Sequence, residues 1–330
     1  MKAIIQNGYG SLDRLIVKEI EKPAPKDGEA LVKVYASSIN TGNVFAVRGT
    51  PIISRIWTGL VKPKFLNSGS DVAGVVEAVG SDVSQFKPGD AVFGDNLSNG
   101  FGTYAEYVCV PEDELALKPA NITFAEAGTV PQAAMVALQG LRDVGQIQAG
   151  QKVLITGASG GNGTFAVQIA KAFGAEVTAV CSTRNLDLVR SIGADYVIDY
   201  TKEDFAEGTE QYDLIIAMGG YRQLKDYELA LKNGGIFVWA GGEMKGLFQT
   251  MAFGPLVGRK GKKTMTNLSH KQSQKDLVYL GNLLEAENVK PVIDSIFPLE
   301  KIANAMSHYE AGHMQGKVVI TVAEEKENES

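Results

Sequence analysis

Gly157, Gly160 and Gly163 follow the apolar run Val153-Leu154-Ile155 at three-residue spacing, and an amphipathic pattern comes after them. The run suits a strand buried on both faces. Phe165, Ile169 and Phe173, with Ala166 and Ala170 beside them, recur at helical spacing and predict an apolar stripe laid against a sheet. A glycine triplet alone also arises in flexible loops, but strand, turn and helix together point to phosphate chemistry. Gly157 permits the tight turn, Gly160 leaves room for a pyrophosphate to approach the backbone, and Gly163 lets the helix pack closely on the strand. The unpaired N–H groups of Gly161, Asn162 and their neighbours, with Ser159 beside them, would face the phosphates. The stretch therefore predicts a dinucleotide site.

The next strand-like segment, Glu176 to Cys181, bears on which dinucleotide. An NAD site places a carboxylate near its end, about twenty residues past the glycines, for the ribose 2′-hydroxyl. Here the chain reads Ser182-Thr183-Arg184-Asn185, with no carboxylate. Two hydroxyls and a guanidinium suit a 2′-phosphate, so NADPH is the expected cofactor. The bland alternative makes Ser182 a helix cap and Arg184 an exposed helix residue.

Other elements must hold this turn in place. Further strand candidates at Tyr196–Asp199, Leu214–Met218, Ile236–Ala240 and Thr264–Leu268 alternate with helix-like segments, which predicts a doubly wound parallel sheet. Gly219 and Gly241 fall at strand ends, where backbone would approach the nicotinamide half or simply turn. Residues 1–122 instead carry short strand-like pieces separated by Gly, Pro, Asn and Asp, the mark of an antiparallel β-rich domain. The expected division is a β-rich domain over 1–122, a Rossmann domain over 123–267, and a segment over 268–330. Its final strand, Gly316–Val322, returns to the first domain. Leu247–Val257 is apolar with Gly and Pro interruptions and fits either a substrate wall or a dimer surface.

Composition is that of an ordinary globular protein: 330 residues, 45% hydrophobic, 21% charged. A net charge of −6 offers no electrostatic footprint for nucleic acid, and the one basic cluster, Arg259–Lys263, is too short to change that. Two cysteines, Cys109 and Cys181, read as free thiols in a reducing compartment. No run approaches the roughly twenty apolar residues that span a bilayer, and Met1–Gly10 lacks a signal-peptide core. The expectation is a cytoplasmic protein with no membrane or nucleic-acid partner, ending in a solvated acidic tail, Glu324–Ser330.

The chain resembles the medium-chain dehydrogenase/reductase family, in its zinc-free quinone oxidoreductase and alkenal/enone reductase branch. The residues that carry the resemblance are Ile39-Asn40 with Arg48-Gly49, Gly69–Gly80, Phe86–Gly94, the turn Ala158–Gly163, Ile192–Tyr200 and His313–Ile320. It implies a GroES-like catalytic domain beside the Rossmann domain, and pairing of chains along the nucleotide sheet, hence a homodimer. Zinc-dependent members bind the metal through a Cys in the first loop and a Gly-His-Glu segment; here Asn40 and Ser70-Asp71 occupy those positions. Amide and hydroxyl groups are poor zinc ligands, and His308 and His313 stand near no cysteine, so no metal is expected. The resemblance places Thr129 beside the cofactor, Asn40 near the nicotinamide and Tyr200 at the adenosine 2′-phosphate. Relatives carry Asp where this chain has Asn43.

Without a Lewis acid, alcohol oxidation is disfavoured, because nothing holds the alkoxide. The expected reaction is hydride transfer from NADPH to an α,β-unsaturated ketone or aldehyde, or to a quinone. Backbone N–H groups or the Asn40 amide would stabilise the oxyanion, and water or a tyrosine would protonate the product. Tyr104 and Tyr107, in strand-like segments, read as packing residues rather than as that acid. Three alternatives stay open: a zinc-type alcohol dehydrogenase, a one-electron quinone reductase and a non-catalytic NADPH-binding protein.

Overall fold

The computed structural model describes residues 1–208, 211–258 and 262–324. Residues 325–330 of the acidic tail and 259–261 of the basic cluster lie outside the described residues. The chain divides into two compact units: Met1–Gln132 with Gln272–Glu285 and the chain from Ile293 onward, and Ala133–Lys271 with Ala286–Val292.

In chain order the elements begin with strands β1 (Lys2–Gln6), β2 (Leu15–Glu19) and β3 (Glu29–Ser38) and helices α1 (Thr41–Arg48) and α2 (Arg55–Thr58). Strands β4 (Asp71–Val79), β5 (Ala91–Asp95), β6 (Tyr107–Pro111) and β7 (Leu115–Leu117) follow, then helices α3 (Phe124–Ala127) and α4 (Pro131–Gln139). The glycine-loop region holds β8 (Lys152–Thr156), α5 (Gly161–Ala172), β9 (Glu176–Cys181), α6 (Leu186–Ser191), β10 (Tyr196–Asp199), β11 (Tyr212–Ala217), α7 (Leu224–Ala230), β12 (Leu231–Trp239), α8 (Met244–Val257) and β13 (Thr264–Asn267). Helix α9 (Gln274–Glu285), strand β14 (Ile293–Pro298), helix α10 (Ile302–Glu310) and strand β15 (Lys317–Thr321) close the chain.

In the first unit β3 is the pivot, pairing antiparallel with β4, β6 and β15. The late strand β15 therefore does return to the first sheet, with β14 parallel beside it. Three pairings cover β3, and eight of its ten residues are buried. Register then fixes which residues meet beyond the ladder. Val319 lies opposite Ser38 on one side and Ala73 opposite Ala36 on the other, which brings Lys317 toward Asn40 and Asp71 toward Ser38.

In the second unit six parallel strands run in the order β10-β9-β8-β11-β12-β13. The order reverses between β8 and β11, the place where a doubly wound sheet opens a crevice at its carboxyl edge. Val153, Leu154 and Ile155 are fully buried, each contributing on the order of 1.5–3 kcal/mol of apolar burial. Helix α5 differs from its expected single stripe: every residue from Gly163 to Ala170 is buried. Gln168 on this helix is tied to the segment Ala286–Val292: its Nε2–H donates to the Lys290 carbonyl (2.9 Å) and its Oε1 accepts the Lys290 N–H (2.8 Å).

The apolar stretch Leu247–Val257 lies in helix α8, which is oriented inside out. Its buried residues are Thr250 and Gly254, and a Cβ on Gly254 would stand 2.5 Å from the Met265 carbonyl oxygen. Phe248, Met251, Phe253 and Leu256 are exposed. The small face packs because it lets backbone approach β13, and the larger side chains are left outside.

Candidate functional site

The turn after β8 separates its glycines by cause. Gly157 has φ 69°, and a Cβ there would lie 2.6 Å from the Gly219 nitrogen. A Cβ on Gly163 would lie 2.1 Å from the Gly157 carbonyl oxygen. Gly241 is likewise confined, 2.8 Å from the Met218 carbonyl oxygen, so Gly219 and Gly241 are where strand ends pack on one another. Gly160 is different. Its φ of −81° suits any residue, and a Cβ would meet nothing nearer than 3.5 Å. Protein packing does not require glycine there, so the open space is the kind of cradle a pyrophosphate fills.

Helix α5 starts directly after Gly160, with no side-chain cap and no acidic residue in its first turn. Its unpaired amides carry the positive end of the helix dipole with nothing anionic to quench it. Gly161 and Asn162 are half-buried, and Ser159 is held by Asn185, whose Nδ2–H donates to its Oγ at 2.7 Å. Beyond Gly219, a shallow recess lined by Tyr221, Trp239, Gly246, Gln249 and Thr250 adjoins the ends of β11 and β12.

The loop after β9 needs a correction. No carboxylate follows β9 in sequence, but parallel pairing sets Asp199 of β10 opposite Cys181, and the Thr183 hydroxyl donates to Asp199 at 2.6 Å. The Thr183 proton is therefore already committed. Donation from Thr183, then from Thr201 and Lys202, holds the Asp199 carboxyl far below the usual carboxylate range. The Lys202 ammonium lies 3.3 Å from it and answers its charge. Ser182 is half-buried, Arg184 is exposed, and Tyr200 is exposed with its N–H donated to the Cys181 carbonyl. Cys109 and Cys181 are free thiols, both pushed up to about 11 by burial.

The positions that matter for zinc in the resembling family sit in the first unit, where β3, β4 and β15 end side by side. Asn40 and Lys317 are almost fully buried and Asp71 is completely so. Lys317 donates from Nζ to the Asn40 Oδ1 (2.5 Å) and the Ile39 carbonyl (3.3 Å), with the Asp71 Oδ2 at 3.6 Å. Asn40 Nδ2–H and Ser38 Oγ–H both donate to that same Asp71 oxygen, at 2.7 and 2.5 Å. The other Asp71 oxygen accepts the N–H of Gln132 at the start of α4 (3.0 Å). Burial lowers the Lys317 pKa, with Asp71 acting in the opposite direction.

Asn43 belongs to the same knot. Its Oδ1 accepts the Asn40 N–H, and its Nδ2 donates to the Ser68 carbonyl and to Ser70 Oγ. A carboxylate could not make the bond to a carbonyl, so the amide follows from its surroundings. Ser70 and Asp71 thus stand with Asn40 as expected, but around an ammonium. This donor set does not suit zinc, since a dication would have to displace a buried cation from its only acceptors. Among the described residues no group of three His, Cys, Asp or Glu could hold a metal ion.

One expected contributor is spent elsewhere, and one expected packing residue is found as such. Thr129 is fully buried in the first unit and donates its hydroxyl to the Glu126 carbonyl at 2.6 Å. Tyr104 is fully buried, donates to the Ser38 carbonyl, and has its phenol pushed well above the usual range by that burial. It is a packing residue that helps fix Ser38. Lys317, absent from the sequence reading, had only one faint signal: a cation opening an otherwise apolar strand, KVVIT.

Residues 26–120 match the family model described as the alcohol dehydrogenase GroES-like domain, and residues 192–320 that of the zinc-binding dehydrogenase. The chain is 35% identical to the 2-methylene-furan-3-one reductase of Solanum lycopersicum, over 97% of this chain and 79% of that one. It is 34% identical to the chloroplastic NADPH-dependent alkenal/one oxidoreductase of Arabidopsis thaliana, with the same coverage. Among solved structures, the quinone oxidoreductase from Coxiella burnetii superposes with a TM-score of 0.87 at 28% identity, covering 98% of this chain and 99% of that one. The expectation of a cytoplasmic protein does not stand: relatives over most of the chain are named as chloroplastic or mitochondrial.

Two outcomes follow for stability. Gly160→Ala should leave the thermal midpoint of the ligand-free protein within a degree or so, whereas Gly163→Ala should cost about 1–3 kcal/mol by overpacking, read from denaturant melts. Lys317→Met, which strands the Asp71 charge, should cost about 3–5 kcal/mol, and adding Asp71→Asn should recover part of the loss.

Proposed function

This chain belongs to the medium-chain dehydrogenase/reductase family, in the branch of its quinone and alkenal/one oxidoreductases, and on that footing we propose that it uses NADPH to reduce α,β-unsaturated ketones or aldehydes, or quinones, without zinc. The observation that carries the reading is the buried Lys317 ammonium, bonded to Asn40 and near Asp71, at the positions where zinc-dependent relatives hold their metal. An ammonium whose protons go to protein oxygens cannot ligate an alkoxide, so simple alcohol oxidation lacks its Lewis acid.

When bound, the nicotinamide supplies hydride to an electron-poor carbon, and the protein supplies position and charge. The Gly160 backbone admits the pyrophosphate, and the amides at the start of α5, from Gly161 to Gly163, face it. Ser182 and Arg184 take the adenosine 2′-phosphate beside Tyr200, with Lys202 offsetting the nearby Asp199. Gly219 and Gly241 let backbone come close to the nicotinamide half. Thr129 acts by shape, its proton being spent. Asn40 carries two protons on Nδ2, of which Asp71 takes one. The second is the donor we assign to the oxyanion that develops on the substrate. Lys317 on the amide oxygen makes that N–H a stronger donor.

We also infer a homodimer. The exposed apolar side chains Phe248, Met251 and Leu256 lie on one face of α8, and the adjoining β13 is the last strand of its sheet. A second copy would cover the first and pair with the second.

Assays of NADPH consumption against enones, enals, quinones and simple aldehydes test the reaction. Turnover of conjugated substrates that survives chelators is expected; turnover of simple aldehydes alone would sink the reading, and binding without turnover would favour a carrier protein. Arg184→Ala should weaken NADPH binding about tenfold to a hundredfold while leaving NADH unchanged, measured by titration of the ligand-free protein. Phe248→Ser with Leu256→Ser should halve the mass seen by light scattering.

A further inference from the structure

The four most exposed large apolar side chains among the described residues all fall within ten positions: Val61 (85%), Ile52 (76%), Leu60 (72%) and Ile56 (64%). Leu66, just beyond them, is also exposed. They are not on a frayed loop. Tyr9 anchors the base of the segment, donating from its hydroxyl to the Gly59 carbonyl at 2.6 Å, with the Arg55 guanidinium stacked over its ring at 4.7 Å. Arg55 Nε–H donates to the Gly49 carbonyl, and the Lys64 N–H closes back on the Thr58 carbonyl at 2.6 Å. That closure makes Leu60 and Val61 the tip of a tight turn, while Ile52 and Ile56 stand one helical turn apart beside it.

Charge along this segment is of one sign. The chain has a net charge of −6, yet no Asp or Glu occurs from Ala30 to Ser70, while Arg55, Lys62 and Lys64 flank the apolar residues. Lys62 and Lys64 are exposed. Apolar tips rimmed by cations match a bilayer surface with anionic headgroups: the side chains enter the acyl boundary and the ammonium groups stay among the phosphates. A second copy presenting the same face would set cation against cation, which argues against self-association there.

We propose that Ile52–Leu66 docks the protein on anionic lipid bilayers. The reading is independent of the reaction proposed above. No helix among the described residues is long and apolar enough to cross a membrane, and a surface contact needs none. Each cation near an anionic surface raises partitioning about fivefold, so Lys62 and Lys64 together account for a factor on the order of twenty-five.

Co-sedimentation with phosphatidylcholine vesicles, with and without phosphatidylglycerol, tests it on the full chain. Wild type should pellet with the anionic vesicles, several-fold less with neutral ones and less again at high salt. Two variants, one with Ile52, Ile56, Leu60 and Val61 all changed to Ser and the other Lys62→Glu with Lys64→Glu, should each lose at least about tenfold in binding. Leu229→Ser on α7, an exposed apolar residue outside both proposed contacts, should pellet like wild type. Thermal midpoints show whether each variant is folded; should the Ser variant fail to fold, the charge variant decides. Absence of pelleting, equal pelleting on neutral vesicles, or wild-type binding by a folded variant would overturn the proposal. So would a change of mass in the tip variants, which would mean that another copy covers this surface.

Discussion

One ammonium buried among three strand ends fixes much of the first unit. Lys317 and Asp71 are both removed from water, and such a pair contributes little net stability, because the desolvation of each ion consumes most of their attraction. What the pair supplies is exclusivity. Lys317 reaches Asn40 and Asp71 only if β15 and β4 keep their observed registers on β3, and a one-residue slip of either strand would leave a charge unanswered. Ser38, Asn40 and Asn43 add donors and acceptors that are satisfied only in the same arrangement. The late return of the chain is thereby pinned to residues read more than two hundred positions earlier.

The second unit is governed by backbone proximity. Gly157, Gly163, Gly241 and Gly254 are glycines because another backbone stands where a Cβ would be. Gly160 and Gly219 are exceptions, each with room beside it and no positive φ. Conformation and packing thus account for most of the glycine pattern, and one of the residues they fail to explain, Gly160, sits at the mouth of α5, where an uncapped helix presents its amides. A ligand is the natural source of the constraint that the protein itself does not impose.

Features that depend on neighbours in sequence were legible: the strand-turn-helix around Val153–Lys171, the alternation that makes the parallel sheet, and the β-rich character of the first hundred residues. Features that depend on strand register were not. Asp199 lies eighteen residues beyond Cys181 in the chain but beside it across the sheet, and Thr183 consequently gives its proton to a carboxylate that no reading along the loop would find. Lys317 was hidden for the same reason, as one cation at the head of an apolar strand. Helix α5 misled in another way. Its apolar stripe was real, yet polar Thr164 and Gln168 are buried as well, and Gln168 is bonded to Lys290 of a segment far off in sequence.

Replacing a metal by an ammonium changes what a site is able to do, even when its position in the fold is kept. A bound dication has open coordination and draws charge from whatever oxygen reaches it. Lys317 donates to Asn40 and the Ile39 carbonyl, with Asp71 close by, so its charge acts through the groups it touches. On the proposed reading the amide of Asn40 passes that charge on, since pulling on its oxygen strengthens its N–H as a donor. An oxyanion formed by hydride addition to a conjugated system needs a hydrogen-bond donor of this kind, because its charge is delocalised and appears only as the reaction proceeds. An alkoxide, whose charge must exist before hydride leaves, needs more than that. On that proposed reading the choice of substrate class follows from how far a buried positive charge is insulated from the reacting oxygen.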